Sequence, residues 1–473
     1  MKRRGIKPTS RTFSTLLKGY AQIEDWEKYP LQLGNVCNIY TQVMQYHATV
    51  DEIGGPREEL SNIPYNLLIN IFGKAQSFQR MFDVFNAMPA KGPLAPDMRT
   101  FTFLITAIGN RQISAISKTP TEGEEEETPP PTANELAYKN ASDARLIWRQ
   151  LLRVSPSPDS HAIRAIFKPL SRGRPSDQNF AFDIAHEYLG LSRPGEQSVT
   201  AKLPLHPQTL ESLLIVSNIA KRYRYTLNYI QQVIDSGCHS LLTRRHMDYA
   251  LQAHAALACM DPGEAGQALE TLQWMLRMQA LPQAPGLDGG VGPQIRPATT
   301  TYDTVALACW NGGDWSSACH TFELMTGYSS DQFRGEMSDP PEKPPLRIHE
   351  PPLRPSAIFM SSFIRAAAKT HDPENVRQAL NVLDHYGVDA ILEEATRPEQ
   401  SSRDRLRKRE NNLFHASKLV EALHMVLRRL LVSPDYDQST KTRWKDILRR
   451  AEQVVPGKPV QDDALEGKRQ SDS

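Results

Sequence analysis

Residues Ile63 to Asp97 read IPYNLLINIFGKAQSFQRMFDVFNAMPAKGPLAPD, and this stretch decides the fold. Its first part is apolar at Tyr65, Leu68, Ile69 and Phe72, the i, i+3, i+4, i+7 spacing of one helical face. Gly73-Lys-Ala-Gln reads as a short turn. The second part is apolar at Phe78, Phe82, Phe85 and Met88, again at helical spacing. Lys91-Gly92 reads as the end of that helix, and Pro96-Asp97 restarts the chain for another. A lone hairpin of this kind cannot hide both apolar stripes, so similar neighbours are expected beside it.

The same grammar recurs outward in both directions. Copies start at Pro8 with anchor Phe13, at Pro96 with Phe101, at Pro158 with Ile163, at Arg296 with Tyr302 and at Arg354 with Met360. Two weaker copies are anchored on Leu210 and Met247. Tyr65 to Phe101 is 36 residues and Leu210 to Met247 is 37, while the other intervals are longer. The unit is therefore about 35 residues, in the range of stacked helical repeats, with insertions of variable length. The expected domain is an array of about eight repeats over 1–388. Its insertions are a disordered one at about 113–133, carrying Glu124 to Glu127 and Pro129 to Pro131, and loops at about 280–298 and 329–355. A basic helical region at 389–455, with helices over Asn411–Val432 and Ser439–Val455, and a disordered tail at 456–473 complete the chain.

Composition narrows the function. A net charge of +1 excludes a global polycation, so any nucleic-acid site is a local surface. The 5 cysteines (Cys37, Cys238, Cys259, Cys309, Cys319) form no CxxC pair, which argues against zinc ribbons and disulfide scaffolds and for reduced thiols in helix cores. No apolar run is long enough for a membrane span, and no secretory signal is visible. The opening Met1 to Pro8 reads as the tail of a helix followed by a turn, so the chain is expected to begin inside a repeat.

The pattern Tyr-Asn-x-Leu-Ile, Gly-Lys-Ala, Phe-x-x-Met and Pro-Asp over Ile63 to Asp97 resembles the pentatricopeptide repeat (PPR). Copies at Phe13, Phe101, Tyr302 and Met360 are recognisable, and those at Ile163, Leu210 and Met247 are degenerate. The long insertions resemble fungal mitochondrial members of that family. The resemblance implies an all-α, right-handed superhelical solenoid of helix–turn–helix repeats, a mitochondrial location and a single-stranded RNA partner. Single-stranded bases can be splayed along a row of helices and read on their edges by a few side chains. By resemblance the first reading position follows each anchor: Ser14, Asn66, Thr102, Asp303 and Ser361, with Arg164, Glu211 and Asp248 in the other copies. The second precedes the next repeat: Ser61, Asp97, Asp159 and Ser356, with His206 in a degenerate copy. In the family Asn with Asp favours uracil, so Asn66 with Asp97 implies U; Thr with Asp favours guanine, so Thr102 with Asp159 implies G. Arg164 and Glu211 depart from the family's small polar set. Capping offers a plainer role for several of these residues, because Asn66 and Asp97 lie where helices begin and free N–H groups need acceptors.

Between Arg397 and Arg450 there are 14 Lys or Arg against 7 Asp or Glu, a surface that could hold RNA phosphates or form a solvated helix face. No His-x-Glu with Pro-Cys-x-x-Cys, no P-loop and no Gly-x-Ser-x-Gly occurs, so no enzyme, metal, cofactor or small-molecule substrate is expected. The sequence thus points to an RNA-binding adaptor in mitochondrial RNA processing, stability, rRNA maturation or translation, acting on mitochondrial mRNA or rRNA. The rivals are a structural or assembly component of the mitochondrial small ribosomal subunit, with the mitoribosome as partner, and a protein-binding scaffold like tetratricopeptide arrays.

Overall fold

The computed structural model describes residues 8–52, 60–112, 131–155, 157–280, 295–335, 341–342, 353–396, 405–432 and 436–455. Among them, regular structure is helical throughout. Most of the expected insertions (113–130, 281–294, 336–340 and 343–352), the tail 456–473, and the segments Met1–Lys7 and 397–404 lie outside the described residues. The chain divides into two compact units, Met1–Leu241 and Leu242–Ser473.

Unit one holds five hairpins: α1 (Ser10–Tyr20) with α2 (Pro30–Glu52), α3 (Ile63–Lys74) with α4 (Phe78–Asn86), α5 (Met98–Gly109) with α6 (Ala133–Val154), α7 (Ser160–Ser171) with α8 (Pro175–Leu189), and α9 (Pro207–Ile219) with α10 (Tyr223–Asp235). First helices pack side by side in the order α1, α3, α5, α7, α9. Unit two repeats the plan with α11 (Arg244–Leu257) and α12 (Gly263–Ala280), α13 (Thr299–Gly312) and α14 (Trp315–Thr326), and α15 (Ala357–Lys369) and α16 (Pro373–Tyr386). Its row runs α11, α13, α15. After it come α17 (Val388–Thr396), α18 (Arg405–Leu430) and α19 (Gln438–Val454). The row does not stop at Val388: α18 lies against α15 where the next first helix would stand, and α17 and α19 pack on α18. Ala416, Leu419, Leu423, Trp444 and Ile447 are buried there.

All eight anchors, Phe13, Tyr65, Phe101, Ile163, Leu210, Met247, Tyr302 and Met360, are at most 2% exposed, the degenerate copies included. Each sits in the first turn of its helix. Two second helices lay a ring on the next anchor: the His47 ring stacks on Tyr65 with centroids 5.2 Å apart, and Phe85 meets Phe101 edge-on at 5.9 Å. Such burial stabilises by about 1.5–3 kcal/mol per large side chain.

Four local features differ from the reading of the sequence. Gly73 and Lys74 are still helical, and the turn is Ala75-Gln76, with Gln76 left-handed at φ 56° and the Ser77 N–H donating to the Phe72 carbonyl at 2.9 Å. The helix-closing bond, rather than a glycine, enforces that conformation. Helix α4 ends at Asn86, before Lys91-Gly92, and buries Met81 and Val84, with Met88 buried just past its end, while Phe78, Phe82 and Phe85 lie half-buried on its flank. The segment after Ser329 is not simply a loop, since Ser330–Phe333 forms a 3-10 turn with Phe333 fully buried under Gln378 and Asn381, whose amides donate to Ser330 and Phe333 carbonyls. Of the cysteines only Cys309 is buried, with Cys37 and Cys319 half-buried and Cys238 and Cys259 exposed in turns; all five are free thiols.

Gly73 serves the close approach of α3 to α5 instead. A β-carbon there would stand 2.6 Å from the Ala107 β-carbon. Gly73→Ala should destabilise the protein by about 1–3 kcal/mol through overpacking. Gly19→Ala in α1, where nothing lies within 4 Å, should leave stability unchanged or raise it by up to about 1 kcal/mol. Urea denaturation of the two variants separates the effects, and equal stability would remove the close-approach argument.

Candidate nucleic-acid interface

The chain enters each first helix through a proline in five copies, and the next residue is the N-cap: Thr9, Asp97, Asp159, Ala298 and Ser356. Asp97, Asp159 and Ser356, expected at the second reading position, are therefore capping residues. Asp97 accepts from the Thr100 N–H at 2.9 Å, Asp159 from the Ala162 N–H at 2.7 Å, and Ser356 from the Phe359 N–H at 3.0 Å. Ser61 stands one residue before the α3 N-cap Asn62, and its hydroxyl accepts from the Ile63 N–H at 3.3 Å. His206 is the N-cap of α9 without a side-chain bond.

First reading positions lie one residue past the anchor, beside the cap of the next first helix. Asn66, 5% exposed, donates from Nδ2 to Asp97 Oδ1 at 3.1 Å and accepts from the Thr100 hydroxyl at 2.6 Å. Asp303, also 5% exposed, accepts from the Ser356 hydroxyl at 2.7 Å. Asp248 accepts from the Thr301 hydroxyl at 2.9 Å. Ser361 donates to the Lys418 carbonyl of α18 at 3.1 Å. The expected pair Asn66 with Asp97 is thus in direct contact, and Asp303 meets Ser356 in the same way. Thr102 and Asp159 share no hydrogen bond, since the Thr102 hydroxyl turns back to the Met98 carbonyl. Ser14 likewise donates to the Ser10 carbonyl. Asp159, exposed Arg164 and His206 line one pocket of about 260 Å³.

The threonine before the anchor joins this network, although it stands at neither expected reading position. Thr100 and Thr301 each bond the preceding repeat's first reading residue. The signal is visible as Thr12, Thr100, Thr209 and Thr301 immediately ahead of Phe13, Phe101, Leu210 and Tyr302.

Electrostatics differ between the two contacting pairs. Burial alone would raise the Asp97 pKa, but donors from Thr100, Asn66 and Asn62 together hold it below its usual value. Burial dominates at Asp303 and pushes its pKa up to about 7, against the stabilising Ser356 hydroxyl. Several of the C-terminal cations are paired within the fold. Arg443 and Arg450 bond Asp384, Arg450 also reaches Asp389 at 3.1 Å, and Arg449 reaches Asp446 at 2.6 Å. Arg428 and Arg429 are exposed, and the side chains of Arg405 to Arg409 lie outside the described residues.

Rows of parallel first helices, each with a buried anchor, a polar residue behind it and a capped threshold to the next, define a helical-repeat protein. Residues 63–93 match the family model described as PPR repeat, so the chain carries a pentatricopeptide repeat at α3 and α4. Two solved structures align with it: the pentatricopeptide repeat protein PPR10 in complex with an 18-nt psaJ RNA element, and a cysteine-substituted form of it with the same element. Each covers 96% of this chain and 71% of the other, at 12% identity and a TM-score of 0.22. No curated protein matches the chain.

Asp303 makes stability depend on pH. Its folded pKa lies above the ordinary 3.8, so the protein takes up a proton on folding between these values. Stability from this group is complete below pH about 4 and is lost as pH rises through about 7. Asp303→Asn keeps an acceptor for Ser356 without the charge. It should be more stable than the parent at pH 8 by a few kcal/mol, on the order of one 1.4 kcal/mol step per pKa unit, with little difference at pH 4. Denaturant melts at both pH values test this, and a pH-independent difference would refute the assignment.

Proposed function

We propose that the chain is a single-stranded RNA-binding adaptor that catalyses no reaction. The observation that carries this reading is the Asn66–Asp97 contact of 3.1 Å within a hairpin that matches the PPR repeat. It joins an amide and a carboxylate, two groups able to address a base edge, at the seam between successive first helices. The expected role in mitochondrial mRNA or rRNA processing, stability or translation belongs to this proposal, as does the mitochondrial location, and both rest on the family resemblance. No helix among the described residues is long and apolar enough to cross a membrane.

A structural component of the mitochondrial small ribosomal subunit is the second reading. It is favoured by unit two, where Asp303 and Ser361 are buried and spend their polar atoms on Ser356 and on the Lys418 carbonyl. In that role the hairpins persist while base reading is lost.

Selection from a randomised single-stranded RNA pool, followed by anisotropy titration, tests the first reading. The selected strand should bind in preference to its duplex, and Asn66→Ala with Asp97→Ala should weaken it about tenfold, the ~1.4 kcal/mol scale of one lost contact, with helicity retained. A selected strand that binds the double variant as tightly as the parent would remove Asn66 and Asp97 from the interface. A pool without any enriched strand would favour the structural role.

A further inference from the structure

A cavity of about 800 Å³ opens in unit one where the last turns of α5, α7 and α9 meet the start of α6. Its position is separate from the reading residues. Arg164 lies in the first turn of α7 and Arg172 caps its other end, about 12 Å along the axis at 1.5 Å per residue. Leu136, Phe167, Ile215 and Ile219 make an apolar wall. Among the described residues, Arg111, Lys168 and Arg172 are the charged lining residues, and no described carboxylate lines the cavity.

The cations are not equivalent. Arg111 is neutralised by Asp143 at 2.9 Å and lies over the Phe78 ring. Lys168 bonds only the neutral Asn110 side chain, and Arg172 has no ion-pair partner among the described residues. The two are close enough that Arg172 adds to burial in holding the Lys168 pKa below its ordinary value. Two like charges brought together beside an apolar wall favour an anion between them.

Asn140 supplies a second, independent observation. It lines the cavity at 7% exposure, and its Oδ1 is buried with no hydrogen-bond donor. An orphan buried acceptor has given up its hydration without replacement, a deficit that a ligand N–H would remove. A cavity of this size with an apolar wall and few polar groups is the usual form of a ligand site.

We infer that this cavity binds a nucleotide, with the phosphate held by Lys168 and Arg172, the base against Ile215 and Ile219, and a base N–H donated to Asn140. The nucleotide is either a free nucleoside monophosphate or one unit of a bound RNA strand, and the chemistry of recognition is the same. The site stands independently of the Asn66–Asp97 reading because it shares no residue with it.

The test is calorimetric titration of the full chain with each nucleoside monophosphate, with the matching nucleosides, with inorganic phosphate, and with single-stranded RNA homopolymers. At least one monophosphate or homopolymer should bind, and more tightly than its nucleoside or phosphate alone. Lys168→Gln with Arg172→Gln should lower that affinity tenfold or more, with circular dichroism unchanged. Asn140→Leu leaves both cations in place. It should keep or raise the melting temperature of the free protein while lowering affinity for the monophosphate or homopolymer that binds the parent, a combination that a purely structural asparagine would not give. Saturable binding of a monophosphate identifies the free nucleotide as the source. Binding of homopolymer alone, lost in the Lys168 and Arg172 variant, identifies the strand. Absence of both kinds of binding, or affinities unchanged in both variants, overturns the inference.

Discussion

Each first helix must lie level with the next, and polar contacts at both ends enforce this register. At the N-terminal ends Asn66 reaches Asp97 and Thr100, Asp248 reaches Thr301, and Asp303 reaches Ser356. At the C-terminal ends Lys74 donates to the Ala21 carbonyl at 2.9 Å, Asn311 to Ala255 at 2.7 Å, and Lys369 to Asn311 at 2.6 Å. Those acceptors are orphan carbonyls of helix termini, where a cation also meets the negative end of the dipole. Apolar faces alone would tolerate sliding along the helix axis; these bonds do not, because each is satisfied at one register only.

A residue that holds a register is costly to spend elsewhere. Asp97 caps α5 and bonds Asn66, so a base that recruits either group competes with the contact that aligns α3 and α5. The anion at Asp97 is stabilised by its donors, whereas the Asp303 carboxyl is shielded enough to hold its proton near neutral pH. Two copies of one motif therefore present different chemistry: a charged acceptor network in unit one and a buried carboxyl with one hydroxyl partner in unit two.

The end of the chain extends this logic. Helix α18 occupies a first-helix place beside α15 although its sequence lacks the repeat's anchor and proline entry. Arg443 and Arg450 are drawn onto Asp384 and Asp389 of α16 and α17, so cations that look free in a linear count of charge are partly neutralised by carboxylates more than fifty residues away. Surface pairs of this kind stabilise little individually, but they remove charge from any phosphate surface.

The sequence by itself determined the hairpin unit, its approximate length, the eight anchors and the helix entries after proline, because apolar periodicity and capping chemistry are local properties written within a dozen residues. It also put a polar residue directly after several of those anchors, where Asn66, Asp248 and Asp303 meet the start of the next first helix. Only the tertiary structure decided that Gly73 is a contact glycine rather than a turn glycine, that Met81 and Val84 rather than Phe82 face the core, and that Thr100 completes the Asn66 network. It alone brought Asn140, Lys168 and Arg172 around one cavity. Each of these depends on which neighbouring helix approaches and how closely, and pairing between distant segments leaves no periodic trace along the chain.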